Sequence, residues 1–384
     1  MNKKTTKTLK PVLRFKEFTD DWEQRKLGEC FSERTERSNT GELISVTIND
    51  GIKKFADLNR HDNSSEDKSN YKIVKIGDIA YNSMRMWQGA SGYSPYNGIL
   101  SPAYTVCKPK ANMNTHFFSY LFKHSELIHT FKVNSQGLTK DTWNLKFPSF
   151  STIKVLVPQH NEQEKISKVF ANIDNLITLH QRKCDQLTTL KKYMLANMFP
   201  QEGELTPKIR FSGFTDAWKQ RKLGEVCEEF QSGKSIKSAD IKENGEYPVF
   251  GGNGFRGYTD SYNHDGLFAL IGRQGALCGN MNLSTGRAYF TEHAVAVKGN
   301  KDNDTRFLYY LLDLMNLGQY SGQSAQPGLA VNKLIQLFAM MPNRDEQQQI
   351  GAFFANLDNL ITLQQRKCDS LIQAKKFLLH KMFI

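Results

Sequence analysis

The sequence predicts an α+β protein: two domains of mixed, mainly antiparallel sheet with helices, separated by an antiparallel two-helix coiled coil with pseudo-twofold symmetry. Three observations predict it. A segment at 11–29 returns at 207–225, carried by Trp22-Glu-Gln-Arg-Lys-Leu-Gly28 and Trp218-Lys-Gln-Arg-Lys-Leu-Gly224. The segment 158–199 returns at 342–383, with apolar residues at helical spacing. The intervals between, about 30–157 and 226–341, hardly resemble each other in sequence. Internal repetition at this scale dictates the architecture before any single residue does. The offsets, 207 − 11 = 196 and 342 − 158 = 184, make each half a unit of nearly 200 residues. The expected division is 1–157 (first domain, with 11–29), 158–199 (first spacer helix), 200–341 (second domain, with 207–225) and 342–384 (second spacer helix).

The spacer helices follow from periodicity. Ile166, Phe170, Ile173, Ile177, His180, Cys184, Leu187, Lys191, Met194 and Met198 alternate steps of four and three. Ile350, Phe354, Leu357, Ile361, Gln364, Cys368, Leu371, Lys375, Leu378 and Met382 repeat the pattern. A period of 3.5 kept this long is a coiled-coil seam. At about 1.5 Å per residue each helix is a rod of roughly 60 Å. Such a rod needs a partner for its apolar stripe, and the other copy is the nearest. Chain order then makes the pair antiparallel. His180 and Gln364, at the middle of the seam, are expected to meet as a polar layer fixing register. Glu162 and Gln163, with Glu346 and Gln347, open the helices. Acids there suit the helix dipole, and the alternative for these four residues is a docking surface for a partner protein.

In the first insert, 43–48, 71–81, 104–107 and 153–157 read as strands and 115–131 as helix. In the second, 247–254, 267–273 and 294–297 read as strands, with a helix near 304–317. The loops between combine cations, amides and aromatics. Arg85, Trp87 and Gln88 form one group, and Gln136, Lys140, Trp143 and Asn144 another. The second insert offers Asn253, Arg256, Arg273, Gln274, Gln323 and Gln326. Arg reads guanine bidentately, Asn and Gln read adenine, and such loops are candidate DNA contacts.

Composition agrees. Lys plus Arg is 51 against Asp plus Glu 39, a net charge of +12, which favours polyanionic partners. No apolar run approaches the roughly 20 residues that span a bilayer, and the basic N-terminus lacks the apolar stretch of a signal peptide. The six cysteines form no CxxC pair. These features lead to an expectation of a reduced, cytoplasmic, soluble protein without metal. Gly233-Lys234-Ser235 fails as a P-loop because Glu228 stands where the leading glycine is needed. No Asn-Pro-Pro-aromatic, HExxH or GxSxG motif appears. No catalytic group is expected.

These residues together resemble the specificity subunit of type I restriction–modification systems. The carriers are the paired Trp22–Gly28 and Trp218–Gly224 segments and the Pro…Glu162-Gln163…Ile166 and Pro…Glu346-Gln347…Ile350 helix starts. The stretches at 77–85, 247–254 and 270–276 add to it. The resemblance implies a non-catalytic subunit in which each insert reads one half of a split, asymmetric double-stranded DNA target. It implies two modification subunits, which hold S-adenosylmethionine and methylate adenine N6. It also implies restriction subunits that use ATP and Mg for translocation and cleavage. Four alternatives remain at this point: the specificity subunit of a type IIB-like system, a stand-alone bipartite DNA-binding regulator, an unrecognised nuclease, and a purely structural coiled-coil scaffold. A regulator would bind its site without help; a nuclease would cut plasmid in the presence of Mg.

Overall fold

The computed structural model describes residues 9–48, 51–62, 64–140, 142–275, 277–321 and 328–384. They divide into two compact units: Met1–His180 with Lys367–Ile384, and Gln181–Arg366. Each unit is built around one copy of the repeated frame.

In unit one the repeated Gln-Arg-Lys forms the strand Glu23–Lys26, antiparallel to Lys154–Val157. The following Leu-Gly-Glu makes the short turn of helix Leu27–Cys30, whose Leu27 N–H reaches Ile153 O at 2.8 Å. Trp22, just ahead of the strand, is 2% exposed. In unit two Lys219–Lys222 pairs antiparallel with Phe338–Met341, and Leu223 N–H reaches Leu337 O at 2.9 Å. The strand just before each long helix is thus part of the frame.

The inserts share more than their sequences suggest. Unit one carries a four-stranded antiparallel sheet in the order Phe31–Glu33, Tyr104–Pro109, Ile79–Asn82, Ser91–Tyr93. Unit two carries Cys227–Ser232, Ala294–Gly299, Phe268–Gly272, Met281–Ser284, which is the same order. Around this common sheet they diverge. Unit one adds the ribbons Ile44–Thr47 with Gly51–Lys54 and Lys72–Val74 with Gly98–Leu100. Unit two adds a second four-stranded sheet, in which Tyr247–Gly251 runs parallel to Arg287–Phe290. The helix expected over 115–131 is two helices, Thr115–Leu121 and Ser125–Val133. His124 between them is extended (φ −68°, ψ 135°) and breaks the run.

The long helices are His160–Asn197 and Arg344–Met382. Every seam position named above is buried or partly buried in both helices, as a continuous apolar stripe requires. Within unit one, Lys375 meets Asp174 at 2.5 Å and Phe383 packs on Phe170 (5.6 Å), so the segments run antiparallel. Within unit two, Lys191 meets Asp358 at 2.6 Å and the Cys184 thiol faces Gln365 Oε1 at 3.8 Å, again antiparallel. The seam lysines are therefore neutralised by an aspartate on the facing segment. Gln364 is 5% exposed and His180 is half-buried. All six cysteines are free thiols, and Cys184 and Cys368 are buried. Among the described residues no helix is long and apolar enough to cross a membrane.

One bracing network recurs in both units. Asn114 caps its helix by accepting from Phe117 N–H (3.0 Å), and Asp304 accepts from Phe307 N–H (2.9 Å). Gln163 Oε1 accepts from Asn114 N–H and Gln347 Oε1 from Asp304 N–H, each at 2.9 Å. Tyr120 donates to Asp174 (2.9 Å) and Tyr310 to Asp358 (2.8 Å). Burial, and then the neighbouring aspartate, pushes both phenols well up. Phe117 packs on Trp22 at 5.9 Å and Phe307 on Trp218 at 5.8 Å. The network ties insert, frame strand and long helix together.

His124 gives unit one an acid sensitivity. It is 5% exposed, its Nδ1 has no partner, and its ring lies 6.4 Å from His380. Desolvation first, then His380, outweighs Glu126 and holds the imidazole below its ordinary range. The unfolded imidazole titrates near ~6.5, so below that pH the unfolded chain binds more protons. Stability of unit one is then lost as pH falls through about 6.5 towards the lower folded value, and it is unaffected above. Hydrogen exchange at pH 7.5 and 5.5 should show unit one weakening at the lower pH. His124→Phe should remove part of that loss; an unchanged loss would exclude His124 as its source.

Candidate nucleic-acid interface

In unit two, strands Tyr247–Gly251 and Gly254–Thr259 form a hairpin whose two-residue tip is Gly252-Asn253. The tip is seated backbone to backbone. A Cβ at Gly272 would lie 2.2 Å from Gly252 O, so only glycine ends that strand. Beside the tip opens a cleft of about 510 Å³, lined by Gly252, Asn253, Arg256, Gln274, Gly275 and His293. Asn253, Arg256 and Gln274, three of the sequence candidates, are exposed and share this cleft. Among the described residues no carboxylate lines it. His293 completes it, and no spacing in the sequence marked that residue.

Arg273 does not belong with them. Its Nε donates to Leu329 O (3.3 Å) and its Nη1 to Glu292 O (3.5 Å). Loop carbonyls need donors, and this half-buried guanidinium supplies two of them, which sets it apart from the three exposed side chains. Gln323 and Gln326 lie outside the described residues.

In unit one the candidates fall into two places. Trp87 and Trp143 stand edge to face at 5.4 Å, with Lys132 5.5 Å from the Trp143 ring centre. The Trp87 indole donates to Met84 O at 3.0 Å. Gln136 and Asn144 exchange backbone hydrogen bonds (3.0 and 2.8 Å) and close the loop between them. The aromatic pair is a half-buried brace, while Gln88, Gln136 and Lys140 are exposed around it. Asn144 is half-buried, its Oδ1 unsatisfied. Arg85 points elsewhere, into a cleft of about 480 Å³ lined by residues that include Arg60, His61, Tyr71, Asn82 and Tyr104. Arg60 was not legible as a candidate, since it follows an irregular turn with no repeat equivalent.

The four residues that open the long helices are also corrected as docking groups. Glu162 is 1% exposed and receives Arg14 bidentately (Nε 2.7 Å, Nη2 2.8 Å), with the Trp22 indole at 3.4 Å. Glu346 is 0% exposed and receives Arg210 in the same way (2.7 Å twice). Gln163 and Gln347, each 1% exposed, also donate to Pro158 O and Pro342 O. All four bind inside their own unit and offer no surface. Ile166, Phe170, Ile350 and Phe354 are likewise buried.

The fold and site define a duplicated frame that presents two different sets of exposed amide, guanidinium and aromatic side chains. Comparison with known proteins names the class. The family model for the type I restriction modification DNA specificity domain matches residues 19–189 and 215–373. The chain belongs to that family of DNA target-recognition proteins. It is 44% identical to the type I restriction enzyme EcoprrI specificity subunit of Escherichia coli over 146 residues. That match covers 37% of this chain and 36% of the relative, so the chain spans about a third of that relative's length in the match. It is 21% identical over 394 residues to the putative type I restriction enzyme MjaX specificity subunit of Methanocaldococcus jannaschii, covering 94% of this chain and 92% of the other. The crystal structure of the S subunit of a type I restriction–modification system from M. genitalium has the same fold. Its TM-score is 0.69 at 15% identity, over 98% of this chain and 99% of that one.

Proposed function

We propose that the chain is the non-catalytic subunit that reads a split, asymmetric DNA target and brings modification and restriction subunits to it. The observation that carries this reading is the pairing of matching frames with unlike loops. Both units share the strand pair, the sheet order and the bracing network. They differ where side chains are exposed for contact. Unlike loops read unlike half-sites, so the target is not a palindrome. The helical segments joining the units set the length of DNA left unread.

Two copies of one modification partner suit the frame, because each unit exposes the same apolar positions. In unit one these are Leu176, Leu179 and Phe377; in unit two, Leu360, Leu363 and Tyr193. Exposed apolar residues repeated in this way are docking surface rather than scatter. They replace the buried acids and amides as docking candidates. The partners carry the cofactors: S-adenosylmethionine on the adenine-N6 methyltransferase subunits, ATP and Mg on the translocase/nuclease subunits. The working place is the cytoplasm, at the nucleoid.

Mapping N6-methyladenine in cells that hold the chain with its modification partner tests this. One split, non-palindromic motif is expected, lost when the chain is deleted. Methylation that persists without the chain, or a palindromic motif, would overturn the reading.

A further inference from the structure

We propose that Arg256 reads a guanine in the half-site of unit two, and that the glycine at 251 sets its aim. This rests on the DNA-reading function proposed above. Arg256 lies on the outgoing strand of the hairpin, two residues past Gly254, which pairs with Gly251. Its side chain is exposed, and among the described residues no carboxylate pairs with it. The aliphatic stem crosses the hairpin at residue 251: a Cβ built there would stand 2.6 Å from Arg256 Cδ. Glycine therefore leaves the groove in which the stem lies, and the guanidinium reaches the cleft shared with Asn253 and Gln274.

The chemistry of that cleft is specific. A two-stranded ribbon fits the major groove, where the Arg fork matches guanine O6 and N7 and an amide matches adenine N6 and N7. Arg256 beside two amides, with no acid lining the cleft among the described residues, is a donor-rich surface for purine edges. The seat of Gly252 on Gly272 fixes the ribbon tip and so fixes the origin of the Arg stem. A Lys at 256 would keep the charge and lose the fork.

Selection of random duplexes by the full chain, saturated with its modification partner, tests the assignment. Wild type is expected to select a split target with a guanine in one half. Arg256→Ala and Arg256→Lys should each lower preference for that guanine by about tenfold to a hundredfold, leaving the other half-site intact. Gly251→Ala should lower it with Arg256 still present, because the methyl displaces the stem. Retention of the guanine preference in Arg256→Lys and Arg256→Ala would overturn the assignment. A wild-type complex that selects no sequence would instead overturn the DNA-reading function itself, which separates the two failures.

Discussion

Replacing Arg210 with alanine is expected to strip unit two of a large part of its stability while unit one keeps its protection. Glu346 is wholly buried and its two oxygens are held by the one guanidinium. Removing the arginine strands a carboxylate in the interior, and breaking such a pair costs about 3–5 kcal/mol. Domains of this size are stable by about 5–15 kcal/mol in all, so the loss takes a large share. Arg210→Lys should recover little, because an ammonium cannot replace the bidentate fork. Arg210→Leu with Glu346→Gln should recover more, since no charge then stays buried. Arg14→Ala in unit one should cost less, because the Trp22 indole still reaches Glu162. Trp218, the equivalent in unit two, has an indole N–H without a partner. Hydrogen exchange resolved by unit measures this. Equal protection of unit two in wild type and Arg210→Ala would show that the pair contributes little.

The clamp also shows how far the sequence could be read. Both arginines and both glutamates stand in the repeated blocks, so their pairing was available. The dipole explanation hid it, because acids in a first helical turn need no other reason. The seam was legible because a 3.5 period persists over about ten positions in each helix. The shared sheet was not. Its strands are three to six residues long, its loops differ in length, and β-patterns that short carry little information. One signal of it is present in the sequence. Asn114-Thr115 with Phe117 and Tyr120 matches Asp304-Thr305 with Phe307 and Tyr310, at the common offset of 304 − 114 = 190. That offset lies between 196 and 184, and it marks the bracing helix as part of the frame. Among the candidate contacts, Asn253, Arg256 and Gln274 converge because a hairpin tip and two loops meet. Arg273 differs from its neighbour Gln274 by one residue and is engaged by loop carbonyls. Alternation along a loop end is not visible in composition, and neither Arg60 nor His293 sits in any pattern.

Exchanging the insert of unit two is expected to replace one half of the DNA target and leave the other half and the gap unchanged. The junctions decide whether this works. A cut at 226 and 341 would remove Phe338–Met341, which pairs residue for residue with Lys219–Lys222. The frame strand would then depend on a foreign partner. Junctions at 227 and 337 keep both strands native. The donor must still supply four contacts to the frame: a cap residue whose N–H reaches Gln347, the Phe that packs on Trp218, the Tyr that meets Asp358, and an apolar sheet face. A donor with Asn or Asp, then Thr, Phe and Tyr at the spacing of 304–310 should fold and methylate a hybrid motif. A donor without that spacing should deprive Asp358 of its phenol donor and Gln347 Oε1 of its N–H donor in unit two and give no methylation. Methylation mapping of the two chimaeras reads both outcomes. A change in both half-sites, or in neither, with the matched donor would show that the inserts do not read DNA independently. Active chimaeras from both donors would show that the bracing network is dispensable.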